Sequence, residues 1–169
     1  MSGATTPSGD LSDYPEGFRR VVALLAERGH PHAPRFLETA ARTAQEAAEV
    51  LGVGVGQIAK SVVFRRRSDD AAVLVVTSGD KRVDEHKVSA LIGALARADA
   101  GFVKARTGFT IGGVAPLGHA SEPVTLIDRE LFRFEEIWAA AGHPRGVFRL
   151  SPAQLVELTA APVHEVTQA

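Results

Sequence analysis

Apolar and polar positions recur along this chain at spacings that predict its elements. Phe18, Val21, Val22 and Leu25 follow helical spacing, which predicts a first helix from about residue 17 to 28 that stops at Gly29. His30-Pro31-His32-Ala33-Pro34 cannot continue it, because proline removes a donor and restricts its neighbour, so a loop follows. The two histidines have no third ligand nearby, and a loop explains them better than a metal pair. Between residues 36 and 51, Leu37, Ala40, Ala41, Ala44, Ala47, Ala48 and Leu51 share one helical face. That spacing predicts a single helix, ended by Gly52 and packed closely on a sheet.

Residues 57–64 and 72–77 read as an antiparallel hairpin with Ser68-Asp69-Asp70 near its tip. The second strand is apolar on both faces and should be central. A helix over residues 83–95 comes next, then a short one capped by Asp99 and ending near Thr107, then a glycine-rich loop over residues 108–119. Val124-Thr125-Leu126-Ile127 predicts a short buried strand. Residues 131–141 predict a helix burying Ile137 and Trp138, and residues 146–150 another strand. Ser151, Pro152 and Gln154 form the capping pattern of a final helix, and an edge strand is expected over residues 163–166. The pattern is that of one α/β domain over residues 13–169, behind a small, polar leader of residues 1–12 expected to be disordered.

Composition narrows the function classes. At 169 residues, 45% hydrophobic and 23% charged, the chain suits one folded domain. No apolar run is long enough to span a bilayer, and the N-terminus does not resemble a secretion signal, so a cytoplasmic location without membrane contact is expected. Cysteine is absent, which removes disulfides and thiolate nucleophiles. A net charge of −1 argues against a general nucleic-acid-binding protein of the basic kind, and no DNA partner is expected. Any RNA contact must come from local clusters: Arg65-Arg66-Arg67, Lys81-Arg82 with Lys87, or Lys104 with Arg106.

Two features carry candidate chemistry. Strand alternation puts Lys60 on the face of Ile58, Val62 and Phe64. A lysine there must reach water or meet an anion, and in a pocket it can bind phosphate or polarise a carbonyl. Gly54-Val55-Gly56-Gln57-Ile58-Ala59-Lys60-Ser61 nearly matches a phosphate-binding P-loop, and Val124 to Asp128 could pass for the strand and aspartate of such a protein. The order contradicts this reading, since a P-loop follows a strand and opens a helix. The second feature is Thr107-Gly108-Phe109-Thr110-Ile111-Gly112-Gly113-Val114-Ala115-Pro116-Leu117-Gly118-His119. Its glycines permit close backbone approach, and its proline stiffens amides that could face an oxyanion or a water. His119, and His143 in Gly142-His143-Pro144-Arg145-Gly146, are general-base candidates, though such histidines more often serve structure.

These pieces, in this order, resemble the YbaK/EbsC-type aminoacyl-tRNA deacylases, relatives of the editing domain inserted in bacterial prolyl-tRNA synthetases. The matching set is Thr43-Ala44 with Ala47-Ala48, residues 57–64, Gly79-Asp80 with Arg82-Val83-Asp84, Thr107-Gly108-Phe109, Gly112-Gly113 through Pro116, Gly118 and His119, then Asp128 and residues 142–145. It runs from about residue 35 to the end. The resemblance implies a mixed, largely antiparallel, partly closed sheet flanked by helices. It implies catalytic roles for Lys60 and for the loop at Gly112, Gly113 and Val114. Thr43, Ser61, Phe109, Ala115, Pro116, Gly118, His119, Gly142 and His143 would line the substrate site, with Arg65, Lys81, Arg82, Lys104 and Arg106 as tRNA contacts. Ala115 stands where many relatives carry a second proline, so loop stiffness can differ here. The implied activity is trans-acting, metal- and cofactor-free hydrolysis of a small amino acid from the 3′ end of mischarged tRNA-Pro or a similar tRNA. A synthetase is a conceivable second partner. The competing readings are a non-catalytic tRNA-end or synthetase-binding module and a hydrolase of another activated carbonyl.

Overall fold

The computed structural model describes the backbone of residues 4–5 and the whole of residues 11–169. The elements are, in order, β1 (Ala4–Thr5), α1 (Glu16–Glu27), β2 (Arg35–Leu37), α2 (Ala44–Leu51), β3 (Ile58–Arg66) and β4 (Ala72–Ser78). Then come α3 (Glu85–Ile92), β5 (Leu95–Arg97), α4 (Ala100–Thr107) and β6 (Val124–Asp128). The chain closes with β7 (Ile137–Ala140), β8 (Gly146–Leu150), α5 (Pro152–Thr159) and β9 (Val163–His164). The leader expected over residues 1–12 lies mostly outside the described residues, but Ala4 and Thr5 pair with Leu37 and Phe36 as a short strand.

The strands form one mixed sheet in the order β1-β2-β8-β7-β3-β4-β6-β9, with β5 also on β3. The pairs β1–β2, β2–β8, β3–β4, β3–β5 and β7–β8 are antiparallel, whereas β3–β7, β4–β6 and β6–β9 are parallel. The predicted hairpin is the centre of this sheet, and every residue of β4 is buried. On one face Phe18, Val21 and Leu25 of α1 join Phe109, Phe148, Ile127 and Leu155 in the main core. On the other, α2 covers Ile58 and Trp138, and α3 covers Val73 and Val75.

Two predicted helices are strands in part. The segment expected to be helical from residue 36 begins as β2, and helix starts only after Thr43, which accepts a bond from the Glu46 amide in a capping box. Leu37 is buried because its strand joins β8 at the sheet edge, a partner far away in sequence. Residues 131–141 form a short 3-10 turn, Arg129–Arg133, and then β7, not a helix. Ile137 and Trp138 are buried as expected, between β3 and β8. Short apolar runs satisfy either period, and here the waiting strand edges decide. The helix expected to reach residue 95 ends at Ile92, and β5 occupies residues 95–97. The caps Asp99 and Ser151 and the stops Gly29, Gly52 and Gly108 behave as their chemistry predicts.

The P-loop look-alike is a 3-10 turn, Val55–Gln57, leading into β3. Its Gly56 is required for packing, since a Cβ there would sit 2.8 Å from the Phe134 ring. Asp128 is likewise structural. Its buried carboxylate accepts from the Val166 and Glu130 amides and from the Thr167 hydroxyl, pinning the C-terminus to β6.

Candidate functional site

The sheet is split beside β3, and a cavity of about 730 Å³ occupies the split. β7 flanks β3 at Ile58 and Ala59, and β5 flanks it from Phe64 onward. Between them Lys60, Ser61, Val62 and Val63 form the cavity floor. The N-terminal part of α2 and its cap make one wall, Ile111, Gly112, Val114 and Val103 the other, and Trp138, Ala139 and Ala140 close the end.

Lys60 is half-buried in this cavity and donates from Nζ to the Lys81 carbonyl at 2.9 Å. Its pKa is pulled below the usual lysine value mainly by burial, then by the Arg82 charge, against an opposing pull from Asp80. The turn that holds it is braced from below. Arg133 bridges Asp80 at 2.8 Å and the Ser78 hydroxyl at 2.9 Å, and the Ser78 hydroxyl donates to the Gly56 carbonyl. The ammonium thus keeps two protons for other acceptors, in a setting where an acceptor competes with less water.

The glycine loop leans on the turn over residues 142–146. A Cβ on Gly113 would lie 2.6 Å from the His143 Cα, so no side chain fits between the two segments. The same turn anchors the strand-to-helix passage before α2, through Leu37 and Ala41 amides bonded to the Arg145 and Pro144 carbonyls. The Gly113 amide donates to the Thr110 carbonyl at 3.0 Å, so that N–H is already bonded within the loop. The amides of Gly112 and Val114 have no partner among the described residues.

Of the residues expected from sequence, the structure gathers Lys60, Ser61, Thr43, Gly112 and Val114 around the cavity. Thr43 belongs to the wall through its cap, where its hydroxyl is bonded to Glu46. Phe109 and Ala115 are core residues, with the Arg20 guanidinium 4.4 Å from the Phe109 ring centroid. Gly142 packs on the Gly17 backbone. Pro116, Gly118 and His119 line a different cavity, beside α1 and α5. His119 bonds through Nε2 to the Ala115 carbonyl at 2.6 Å, and burial pushes its pKa down. His143 accepts the Arg145 amide on Nδ1 at 3.0 Å, and burial followed by the Arg145 and Arg42 charges lowers its pKa. Each imidazole thus has one nitrogen bonded to nearby backbone, while the His119 Nδ1 is buried without a partner among the described residues.

The basic candidates are partly occupied too. Arg65 pairs with Asp70 at 2.6 Å and Lys81 with Glu130 at 3.6 Å. Lys104 donates to the Gly108 carbonyl, and Arg106 lies over the Phe102 ring. Arg82 acts on Lys60 by its charge. Sequence reasoning missed Arg42, Ala98, the alanines of β7 and Pro144, all at the cavity. The small residues Ala139 and Ala140 were legible as small but assigned to a helix, which hid their place beside β3.

The chain belongs to the aminoacyl-tRNA editing domain family of the YbaK type, whose model matches residues 38–158. It is 37% identical over 123 residues to YwhH, an uncharacterized protein of Bacillus subtilis (strain 168), covering 72% of this chain and 78% of that one. Over 94 residues, 53% of this chain, it is 29% identical to a proline–tRNA ligase of Thermoanaerobacter sp. (strain X514), of which the match covers 16%. Among solved structures, one described as a candidate trans-editing enzyme for prolyl tRNA synthetase superposes with a TM-score of 0.86 at 38% identity. That match covers 93% of this chain and all of the other. Among the described residues no helix is long and apolar enough to cross a membrane.

Proposed function

We propose that this chain is a trans-acting deacylase that hydrolyses a small, wrongly attached amino acid from the 3′ end of tRNA-Pro or a similar tRNA. The observation that carries this reading is the split sheet, whose cavity brings a half-buried ammonium and a glycine-supported loop to one volume. A cavity of about 730 Å³ suits a small molecule or the end of a larger one. The terminal adenosine must share this volume, and the space left beside the apolar Ala98, Val103, Val114 and Ala139 suits a small, uncharged side chain. A hydrophobic pocket separates neighbours differing by a methylene only weakly, so the selected residue is set as "small" and no further.

In this reaction the oxygen of water bonds to the ester carbonyl carbon, the carbon–ribose-oxygen bond breaks, and the ribose oxygen leaves with a proton from that water. Amino acid and a free 3′-terminal hydroxyl result. Lys60 orients and neutralises the RNA end from the cavity floor, and the substrate's neighbouring ribose hydroxyl relays the proton. The Gly112 and Val114 amides, without partners among the described residues, hold the water. This is catalysis by positioning on an already activated ester. The wall offers hydroxyls, an ammonium and amides rather than the imidazole and carboxylate sets typical of metal sites, which supports metal-independent chemistry. The expected location is the cytoplasm, and a synthetase can act as partner by delivering the tRNA.

The test is release of amino acid from a panel of mischarged tRNAs by the native chain and by Lys60→Ala. Release from one small-residue ester, falling at least about 100-fold in the variant, is expected. Unchanged release by Lys60→Ala overturns the lysine's role. Binding of tRNA without release from any ester would favour a non-catalytic module instead.

A further inference from the structure

Beside the split in the sheet, main-chain groups of β3 have no partner among the described residues. The Gly79 amide donates to the Ile58 carbonyl at 2.8 Å, and the Arg66 amide to the Ala71 carbonyl at 2.9 Å. With the β3–β4 register, those bonds mean that Ile58, Lys60, Val62, Phe64 and Arg66 turn their amides and carbonyls toward β4. Ala59, Ser61, Val63 and Arg65 turn theirs the other way. On that side Ala59 meets Ala139 of β7, and Arg65 meets Ala96 of β5. Ser61 and Val63 fall between the two strands. The Ser61 N–H, the Ser61 C=O and the Val63 N–H have no partner among the described residues. The Ser61 hydroxyl is also buried without a partner.

Unpaired main-chain groups inside a protein are rare, and this set lies on the floor of the candidate active cavity. A residue lying parallel to β3 and level with Val62 would donate its N–H to the Ser61 carbonyl and accept the Val63 N–H on its own carbonyl. That is the donor–acceptor pair an α-amino acid carries on either side of its α-carbon. β7 already runs parallel to β3 and stops just short of this position.

We infer that the amino-acid half of the substrate docks as the missing piece of strand. Its α-ammonium donates to the Ser61 carbonyl, and its ester carbonyl accepts from the Val63 amide. This rests on the editing reading and deepens it. The Val63 amide then stands where negative charge develops on the carbonyl oxygen, leaving the loop amides to the water. Because the contacts are to main chain, they read the free α-amino group and ignore the side chain. The cavity walls choose the side chain; an acyl group would remove the ammonium charge and run back along β3 into the end of β7, so the site favours an unblocked amino terminus. Peptidyl- and formylaminoacyl-tRNAs, esters of the same kind, are thereby spared.

The experiment takes the fastest-cleaved of alanyl-, seryl- and cysteinyl-tRNA-Pro and compares it with its N-acetylated form and with the α-hydroxy ester, each measured over its own spontaneous rate. A non-hydrolysable 3′-amide analogue of the same aminoacyl-adenosine is titrated into isotope-labelled protein in parallel. Blocking the amine should lower the enhancement roughly 10- to 100-fold or more, because the hydrogen bond loses its charge and the acetyl group meets the end of β7, with the hydroxy ester between the two. The analogue should shift the Val63 and Ser61 amide signals and slow the hydrogen exchange of Val63. Equal cleavage of the acetylated ester, or a bound analogue that leaves both amides unmoved, overturns the inference and leaves the editing reading standing. No cleavage of any ester, with no analogue bound, overturns both.

Discussion

Replacing Gly113 with alanine should damage the site through a single methyl group. The backbone at Gly113 is not among the positive-φ positions, so alanine meets no conformational barrier there. What it meets is the His143 backbone, with the new Cβ 2.6 Å from Cα, 2.7 Å from C and 2.8 Å from N. Ordinary contact begins near 3.4 Å, so the loop and the turn must separate by about 0.8 Å. Neither partner is a flexible side-chain end, and the turn is tied to the segment before α2 by the Leu37 and Ala41 amides. Overpacking of this kind costs about 1–3 kcal/mol, a Tm fall of roughly 2–12 °C for a domain of this size. Because Gly112 and Val114 ride on the same loop, a shift approaching 1 Å should slow ester hydrolysis by about 100-fold. Thermal melting and single-turnover deacylation of the best mischarged tRNA measure the two effects. Gly54→Ala serves as the control, since its Cβ would find only the Gln57 side-chain oxygen at 3.6 Å. A Gly113→Ala protein with native Tm and native rate would refute the docking of loop on turn as the support of this site.

Asp128→Ala should lose about 2–4 kcal/mol, because it strands the buried Val166 amide and releases the Thr167 hydroxyl and Glu130 amide. A urea-denaturation midpoint equal to the native one would contradict that pinning role. Stability should also fall on mild acidification. The pKa values of His32, His119 and His143 are all lowered in the folded chain, chiefly by burial, from the ordinary 6.5. The unfolded chain therefore takes up protons first as pH drops below about 6.5, and stability declines from there down through the folded values. Above pH 7 these groups contribute no slope. Asp69, held at about 2 by Arg66, and Asp80, lowered by Arg133, titrate well below that window. Urea melts at pH 7.5 and 5.5 test the sign, and a chain more stable at the lower pH would reverse it.

Much of the site's raw material was legible in the sequence, for local reasons. Alternation alone put Lys60 on the face of Ile58, and turn chemistry marked residues 108–119 as a loop of close approach. The caps at Asp99 and Ser151 satisfy orphan amides within three residues, so they too read directly, whereas the cap Thr43 was hidden inside a helix drawn too long. The hairpin of β3 and β4 was readable because its partners are neighbours in the chain.

Tertiary structure decided the rest. Ile137-Trp138-Ala139-Ala140 fits a helix or a strand equally well, and only the edges of β3 and β8 turn it into β7. Phe36 and Leu37 become a strand for the same reason. Pro116 and His119 follow the buried Ala115 in the loop and line the second cavity, beside α1 and α5. The Gly113–His143 approach and the unpaired edge of Ser61 and Val63 depend on where distant strands end, which no local pattern records. The sequence by itself determined which groups this chain brings to chemistry. The long-range pairing around β3 determined which of them share a cavity, since strand edges are satisfied by whatever backbone reaches them.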